Sequence, residues 1–339
     1  MPVTPAPISV AMPCYNAERY IREALQSIVD QTLPVSEVVI VNDGSTDGTL
    51  TVIEEFSRRH PGLIRVITQP NQGPGVARTS AVRAAAHNDL VTFDTDDLLH
   101  PEAVEAWYAH ACRNPRYALV YGCYSLIDAE SRVTGQVITH EYRKDPLEGA
   151  ILPTMLWENV VSATCFVRRD KVLEVGGYYD EQHLPQRNGA EDALCYFRLL
   201  LAGYEFGYVP RPLFSYRDHA HGISKTPNRA RESLKAVHAL LFQTEPKKMA
   251  EAYAVARKWR EDDVRLGQCA LAGRDQLLVG LQAKLERGGA AREKLRRRLD
   301  SQTRRLLSLE RSLEAAKAAS ATADGRSRLK RFLRRIAGM

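Results

Sequence analysis

Residues 94–97 (Asp-Thr-Asp-Asp) place three carboxylates within four positions, at the end of a short apolar run at 90–93. Carboxylates this close repel one another, and a bound cation would relieve that repulsion. Oxygen ligands in a short cluster suit a hard divalent ion, Mg²⁺ or Mn²⁺, which completes its shell with water and substrate phosphates. The segment therefore indicates either a metal site for a phosphate-bearing substrate or an acidic turn before the helix predicted near Pro101.

The elements that would position this cluster form an alternating pattern. Strands are predicted at 8–12, 37–41, 64–68 and 90–93, the last of them buried, and helical spacing is found at 20–30, 49–59 and 76–86. Alternation of strands and helices predicts a parallel sheet that binds its ligand at the carboxyl edge of the strands. A polar segment follows each of the four strands, so we expect all four segments to converge on one cleft.

Two of these polar segments suggest a nucleotide as the ligand. Asp43 can accept a hydrogen bond from a nucleobase imide or a ribose hydroxyl, and Gly44 permits a tight turn beside a flat ring. The glycine-rich segment 71–75 leads into a helix that carries Arg78, where backbone N–H groups and a guanidinium could face a diphosphate. Each segment alone is a common turn, but their recurrence after successive strands favours a nucleotide-binding cleft.

Several segments, in this order and spacing, resemble the signature of family 2 glycosyltransferases. The matching segments are 13–16 (Pro-Cys-Tyr-Asn), 42–47 (Asn-Asp-Gly-Ser-Thr-Asp), 71–78 (Asn-Gln-Gly-Pro-Gly-Val-Ala-Arg), 94–97, 175–180, 191–192 and 215–219 with Ser224. The resemblance covers roughly residues 7–225. It implies an α/β fold of the GT-A type, with a Rossmann-like, mostly parallel sheet and helices on both faces.

The resemblance also implies a role for each matching residue. Asp192 would be the general base of a single displacement that inverts the anomeric carbon, although it also opens a predicted helix and could be a structural carboxylate. Asp96 would bind the metal, with Asp97 and His219 as further candidates. Asp97 could bind the metal directly or form a hydrogen bond that supports a residue that binds it. Nucleotide and donor contacts are implied for Pro13, Tyr15, Asn16, Asp43, Gly44, Gly73, Arg78, Asp94 and Arg217, and donor-sugar or acceptor contacts for Gly176, Gly177 and Glu191.

Composition and motif spacing exclude other classes of enzyme. The 339 residues suffice for one large α/β domain and an appendage. Residues 13–16 contain no glycine, whereas a dinucleotide-binding domain or a sugar nucleotidylyltransferase needs a glycine-rich loop there. The six cysteines show no Cys-x-x-Cys spacing, which argues against zinc and dithiol redox chemistry. No leader pattern and no apolar run of roughly 18 residues is visible, so a cytoplasmic protein is expected.

The C-terminal third differs from the rest in charge and pattern. Residues 245–339 hold 24 Lys and Arg against 12 Asp and Glu, while the remainder holds 23 against 29. After a helical linker at 226–275, leucines at heptad positions over 278–316 predict a coiled coil within 276–320 and a homodimer, or alternatively one amphipathic helix packed on the domain. The basic amphipathic segment 326–339 predicts peripheral contact with the inner face of the plasma membrane, and nucleic acid is not expected as a partner.

The sequence thus predicts an inverting glycosyltransferase domain at 1–225. It would use Mn²⁺ or Mg²⁺ to move a sugar from a nucleoside-diphosphate donor, a UDP-sugar by analogy, to a carbohydrate or lipid-linked acceptor in cell-surface polysaccharide or glycolipid synthesis. The alternative is a catalytically inactive, nucleotide-sugar-binding coiled-coil scaffold at the membrane. The presence of both Asp96 and Asp192 argues against that alternative.

Overall fold

The computed structural model describes residues 4–138, 151–156, 160–179, 190–219, 222 and 229–256. These residues fall into two compact units. The first contains the described residues up to 155 and from 160 to 249, and the second contains Leu156 and the helical residues 250–256. The first unit thus continues past residue 225. The predicted coiled coil at 276–320 and the basic segment 326–339 lie outside the described residues.

The first half of the first unit alternates strands and helices as its hydrophobic pattern predicts. Its elements are β1 (Ala6–Cys14), α1 (Ile21–Val29), β2 (Val35–Asn42), α2 (Thr49–Arg59), β3 (Ile64–Thr68), α3 (Pro74–Ala84) and β4 (Asp89–Thr92). The four strands pair in parallel in the order β3-β2-β1-β4. Every predicted boundary lies within two residues of the observed one. The mostly buried strands β1, β2 and β4 appear in the sequence as nearly continuous apolar runs, whereas β3 lies at the edge of the sheet and contains no buried residue.

The second half contributes a mixed set of strands. Its elements are β5 (Leu98–Leu99), α4 (Ala103–Ala111), β6 (Tyr117–Ile127), β7 (Val133–Ile138), α5 (Ile151–Met155), β8 (Cys165–Arg168), α6 (Arg169–Glu174), α7 (Glu191–Leu201), β9 (Glu205–Arg217) and α8 (Arg229–Thr244). The full order is β3-β2-β1-β4-β8-β6-β9-β5, with β7 on β6. β8 is antiparallel to both its neighbours, so the sheet is parallel in its first half and mixed in its second.

Helices cover both faces of the sheet. Alternate residues of β1, namely Ile8, Val10 and Met12, are buried in one core with the apolar sides of α1, α2 and α4. α3 packs against β1 and β2 and also contacts α6 and α7. Its buried Ala77 and Ala81 lie outside that first core. None of the helices that the structure describes combines the length and hydropathy needed to cross a membrane.

Three of the parallel strands, β1, β2 and β3, end level with one another at one edge of the sheet. Cys14, the last residue of β1, pairs with Asn42, and Asn42 pairs with Thr68 at the end of β3. The backbone N–H of Asp43 then donates to the carbonyl of Cys14 at 2.8 Å. The polar segments that follow β1, β2 and β3 therefore leave the sheet side by side, as the topology requires.

Candidate active site

Two carboxylates of the loop that follows β4 remain accessible to solvent. The Asp94 side chain is 30% exposed and pairs with Arg78 at 2.7 Å. The Asp96 side chain is 38% exposed, and its Oδ2 lies 3.0 Å from Nε2 of His219. Asp96 and His219 thus supply an oxygen and a nitrogen donor at one place. Within the described residues, no three His, Cys, Asp or Glu side chains are grouped closely enough to hold a metal ion by themselves.

The third carboxylate of the loop, Asp97, is turned into the protein and is 2% exposed. It accepts hydrogen bonds from the Thr164 hydroxyl and from the backbone N–H of Arg217, each at 3.1 Å. Burial, with a smaller contribution from the charges of Asp96 and Asp94, raises the pKa of Asp97 well above its ordinary value. This environment suits a side chain that holds the loop in place.

Arg78 joins the loop after β4 to the start of α7. Its guanidinium, 3% exposed, pairs with Asp94 at 2.7 Å and with Glu191 at 2.9 Å. Burial alone would lower the pKa of Arg78, but Asp94 and Glu191 together raise it well above its ordinary value. The guanidinium also lies over the ring of Tyr178, 5.4 Å from its centroid. One buried cation therefore balances two carboxylates that are far apart in the sequence.

Asp192 lies beside Glu191 in the first turn of α7. The backbone N–H of Ala193 donates to its Oδ1 at 2.7 Å. Burial and the charge of Glu191 raise the pKa of Asp192 to about 6, although Arg78 and that backbone N–H act in the opposite direction. A carboxyl group with this pKa is mostly ionised at neutral pH and still close enough to it to accept a proton effectively. The position and pKa both suit a general base.

Asp43 organises the segment between β3 and α3. Its carboxylate accepts hydrogen bonds from the side chain of Gln69 at 2.8 Å and from the backbone N–H groups of Gln72 at 2.9 Å and Gly73 at 2.8 Å. Gly73 has a φ of 91° and immediately precedes α3, a conformation that L side chains rarely adopt. The carboxylate thus holds the glycine-rich turn that leads to Arg78.

The segments after β1 and β2 bind each other. The backbone N–H of Asn16 donates to the Ser45 hydroxyl at 3.0 Å, and its side-chain oxygen accepts from the backbone N–H of Thr46 at 2.8 Å. Gly44 has a φ of 74° and lies against the backbone of Asn71. Tyr15 is 52% exposed, and Pro13 is buried within β1. The exposed tyrosine thus adjoins a turn that is held by hydrogen bonds.

The Gly176-Gly177 turn packs against α3 and α7. Both residues have positive φ, at 92° and 77°, and a Cβ on Gly177 would lie 2.8 Å from the Thr79 side chain. The Thr79 hydroxyl accepts a hydrogen bond from the backbone N–H of Tyr178 at 3.0 Å. The turn therefore sets the spacing of the helices that carry Arg78 and Glu191 without itself supplying a reactive group.

Arg217, the last residue of β9, donates its side-chain hydrogen bonds to protein acceptors. Its side chain is 0% exposed and pairs with Glu23 at 3.1 Å. Its Nε donates to the backbone carbonyl of Asp96 at 2.7 Å, and Nη1 donates to the Ser131 hydroxyl at 2.8 Å. In this conformation the guanidinium is enclosed by protein groups and supports the loop after β4.

Four residues of this arrangement, Tyr20, Glu23, Ser131 and Thr164, were not anticipated from the sequence. Thr164 contacts Asp97 of the loop from 67 positions away, and Ser131 contacts Arg217 from 86 positions away. Ser131 has a φ of 63°. The residue types at 128–132 predict a turn, but they do not indicate that Ser131 contacts Arg217. Contacts of this kind depend on tertiary packing and leave no local signal in the sequence.

Comparison with known proteins gives a consistent family. The family model described as glycosyl transferase family 2 matches residues 9–177. The chain is 30% identical over 208 residues to chondroitin synthase of Escherichia coli, covering 57% of the chain and 29% of that protein. It is 28% identical over 214 residues to poly-beta-1,6-N-acetyl-D-glucosamine synthase of Staphylococcus epidermidis, covering 61% and 48%. The chain thus spans half or less of the length of these two relatives.

Solved structures share the fold at lower identity. Staphylococcus aureus TarS 1–349 in complex with UDP-GlcNAc superposes with a TM-score of 0.58 at 21% identity, covering 74% of this chain and 71% of that one. The mannosyltransferase PcManGT of Pyrobaculum calidifontis, in complex with GDP-Man and Mn²⁺, gives a TM-score of 0.55 at 20% identity, covering 98% and 88%. At these identities the likeness concerns the fold.

Proposed function

Because the chain belongs to glycosyl transferase family 2 and has the GT-A fold, we propose that it transfers a sugar from a UDP-sugar to an acceptor hydroxyl with inversion. The observation that carries this proposal is the Arg78 bridge between Asp94 and Glu191. That bridge brings the loop with the metal-ligand candidate Asp96 next to the turn with the base candidate Asp192. Donor activation and acceptor deprotonation then occur on neighbouring parts of one cleft.

Asp96 and His219 are the residues that would hold a divalent metal. A carboxylate and an imidazole are suitable donors for Mn²⁺, and two protein ligands leave coordination positions for water and for the diphosphate of the donor. His219 is also buried, with 8% of its side chain exposed, so its ring is held in place. When bound, the metal would neutralise charge that develops on the leaving diphosphate. Asp97 supports this loop from behind, as its two hydrogen bonds suggest.

Asp192 is proposed as the general base. The acceptor oxygen attacks the anomeric carbon from the face opposite the nucleotide, a new carbon–oxygen bond forms, and the bond to the diphosphate oxygen breaks. The proton of the acceptor hydroxyl passes to the carboxylate of Asp192. The pKa of about 6 supports this role, since the group is ionised at neutral pH before the acceptor binds. Glu191 and Arg78 would hold the first turn of α7 in position.

The donor nucleotide is proposed to lie along the carboxyl edge of β1, β2 and β4. The exposed Tyr15 would face the base, with Asp43 and Gly44 at its edge and Asn16 and Pro13 lining the same segment. Asp94 would lie near the ribose, and the backbone N–H groups at the start of α3 after Gly73 would face the diphosphate, with Arg78 in the second turn of that helix holding Asp94 in place. Uridine is the proposed base, supported by TarS, which was solved with UDP-GlcNAc.

The acceptor is proposed to be a carbohydrate chain, free or lipid-linked. Two relatives are named as synthases of polysaccharides, which supports a part in cell-surface polysaccharide synthesis. Gly176 and Gly177 would shape the acceptor side of the cleft through the packing of their turn on α3 and α7. Dimerisation through 278–316 and membrane contact through 326–339 remain predictions from the sequence.

The proposal is tested by ligand binding followed by turnover. A thermal-shift screen of UDP, GDP and dTDP, with and without Mn²⁺, should show a metal-dependent rise in melting temperature with UDP, because a ligand that binds only the folded state stabilises it. Asp96→Ala should abolish that rise, and the exposed control Asp30→Ala should keep it. Hydrolysis of UDP-sugars should follow the same pattern.

Two outcomes would contradict the proposal. If no nucleotide changes the melting temperature of the native chain, the cleft is not a donor site. If UDP binds with Mn²⁺ but no UDP-sugar is hydrolysed or transferred to any carbohydrate acceptor, the inactive scaffold becomes the better description.

A further inference from the structure

Arg217 is a buried arginine whose contacts surround the metal-ligand candidates. Its side chain reaches three separate segments of the chain, through Glu23 in α1, Ser131 in the β6–β7 turn and the carbonyl of Asp96. Nη1 also lies 3.3 Å from the carbonyl of Asp128 in that turn. Several protein acceptors thus satisfy a guanidinium that is 0% exposed, which meets the requirement for burying a charge.

The backbone of Arg217 adds a second hydrogen bond to the loop after β4. Its N–H donates to Oδ1 of Asp97 at 3.1 Å, while its Nε donates to the carbonyl of Asp96 at 2.7 Å. Two neighbouring residues of the loop are therefore held by one residue of β9. Fixing the carbonyl of Asp96 restricts rotation of the backbone that carries its carboxylate.

An aromatic contact extends this support to His219. The guanidinium of Arg217 lies over the ring of Tyr20, 4.5 Å from its centroid. The same ring is 5.0 Å from the ring of His219, at an angle of 55°. Tyr20 thus contacts both the arginine and the histidine, so the packing of Arg217 on Tyr20 helps to fix a ring against which His219 packs.

We propose that Arg217 is a positioning residue that fixes Asp96 and His219 for the metal by tying the loop after β4 to α1 and to the β6–β7 turn. This inference rests on the proposed function, because the metal would act on the diphosphate of the donor, in binding and in the reaction. It differs from a direct contact with the diphosphate in one testable respect. A positioning role depends on Glu23 and Ser131, whereas a direct contact would not.

Variants of the supporting residues provide the test, since neither support belongs to the proposed cleft. Glu23→Ala removes a 52% exposed carboxylate from the surface of α1. Ser131→Gly removes the hydroxyl and also suits the positive φ of that residue. Arg217→Lys keeps the charge but loses the planar fork. The matched control is Arg19→Gln, because Arg19 also lies over Tyr20, at 5.1 Å, with 59% of its side chain exposed.

Calorimetry with UDP, alone and with Mn²⁺, and EPR with Mn²⁺ alone give the readout. We expect Glu23→Ala and Ser131→Gly to weaken Mn²⁺-dependent UDP binding by about fivefold, the effect of one hydrogen bond, and Arg217→Lys to weaken it by about tenfold or more. Binding of UDP without metal should stay within about twofold of the native chain, since the base-binding edge is untouched. Arg19→Gln should behave as the native chain.

The outcomes separate this inference from the proposed function. If the native chain binds UDP and Mn²⁺ but Glu23→Ala and Ser131→Gly bind them equally well, Arg217 is not a positioning residue, whatever Arg217→Lys does. If metal-free and metal-dependent binding fall together, the residue has only a general structural role, and the inference is again wrong. If the native chain binds neither UDP nor Mn²⁺, the proposed function fails and the inference fails with it.

Discussion

The loop after β4 and the first turn of α7 each contain two adjacent carboxylates, and the groups that bind these carboxylates differ between the two regions. In the loop, neutral donors hold the buried Asp97, whereas Asp96 stays 38% exposed beside His219. In α7, the cation Arg78 holds Glu191, and Asp192 beside it has a pKa of about 6. In each pair one carboxylate, Asp97 or Glu191, is bound by protein groups. The difference lies in the partner, since a cation nearby restrains the rise in the neighbour's pKa.

This contrast suggests a division of work between the regions. The loop would keep an exposed carboxylate for a metal, and α7 would keep a carboxylate that can take up a proton near neutral pH. Arg78 connects the two because it pairs with a carboxylate from each. Substitutions that affect one region and spare the other therefore test whether the division is real.

The largest effect is expected from Asp192→Asn, which removes the proposed base and keeps the shape of the side chain. Loss of proton transfer should lower kcat by about 10²- to 10⁴-fold, while Mn²⁺-dependent binding of UDP stays close to that of the native chain because the loop is untouched. Steady-state kinetics with a UDP-sugar and calorimetry with UDP measure the two quantities. Equal loss of both in this variant would mean that the two regions are not separate.

The next largest effect is expected on stability, from Arg78→Met. Removal of the cation leaves Asp94 and Glu191 near Asp192 without their common partner, and breaking a buried pair of this kind costs about 3–5 kcal/mol. Because Asp94 is 30% exposed, water can solvate it, and the lower end of that range is expected. Urea unfolding measures the free energy.

A surface ion pair provides the control for Arg78→Met. Arg22 and Glu55 also lie 2.6 Å apart, but both side chains are more than 40% exposed. Arg22→Met should therefore leave the unfolding midpoint almost unchanged, as expected for solvated pairs. A similar midpoint for the two variants would show that Arg78 does not join the two regions energetically.

The sequence was sufficient for the first half of the fold and for the family. Continuous apolar runs and helical spacing predicted β1 to β4 and α1 to α3, and the comparisons confirm both the family and the GT-A fold. The pairing of β8, β6 and β9 was not predicted, because antiparallel and parallel neighbours in a mixed sheet depend on long connections that carry no local periodicity.

For the site residues, too, the sequence predicted one part and not another: it indicated which side chains could act, but not where they point. Spacing suggested Asp94, Asp96 and Asp97 as one acidic cluster, but adjacency could not show that Asp97 is turned inward to Thr164, 67 residues away. Likewise, Arg217 has the residue type of a diphosphate ligand, although its partners in the structure are protein groups. A sequence gives the chemistry of a side chain, whereas its direction depends on packing with distant segments. The proposed roles remain predictions that the experiments above address.

The smallest and most specific effect concerns the pH dependence of the reaction. Since the pKa of Asp192 is raised from 3.8 to about 6, kcat/KM should rise with pH through about 6 as the base becomes ionised. The sign for stability is opposite. Between about pH 4 and 6 the folded chain binds more protons at this group than the unfolded chain, so its contribution to the free energy of unfolding falls as pH rises.

Glu191→Gln tests whether the neighbouring carboxylate contributes to this shift. Removing its charge should move the acidic limb of kcat/KM to lower pH, because Glu191 raises the pKa of Asp192 and Arg78 would then act on Asp192 with one competitor fewer. The control is Glu205→Gln, at a half-exposed carboxylate that pairs with Arg116, and it should leave the limb in place. An acidic limb near pH 4 in the native chain would show that the pKa of Asp192 is not raised. A limb that moves to higher pH in Glu191→Gln would show that Glu191 does not raise that pKa. Either result would remove the proposed difference between α7 and the loop after β4.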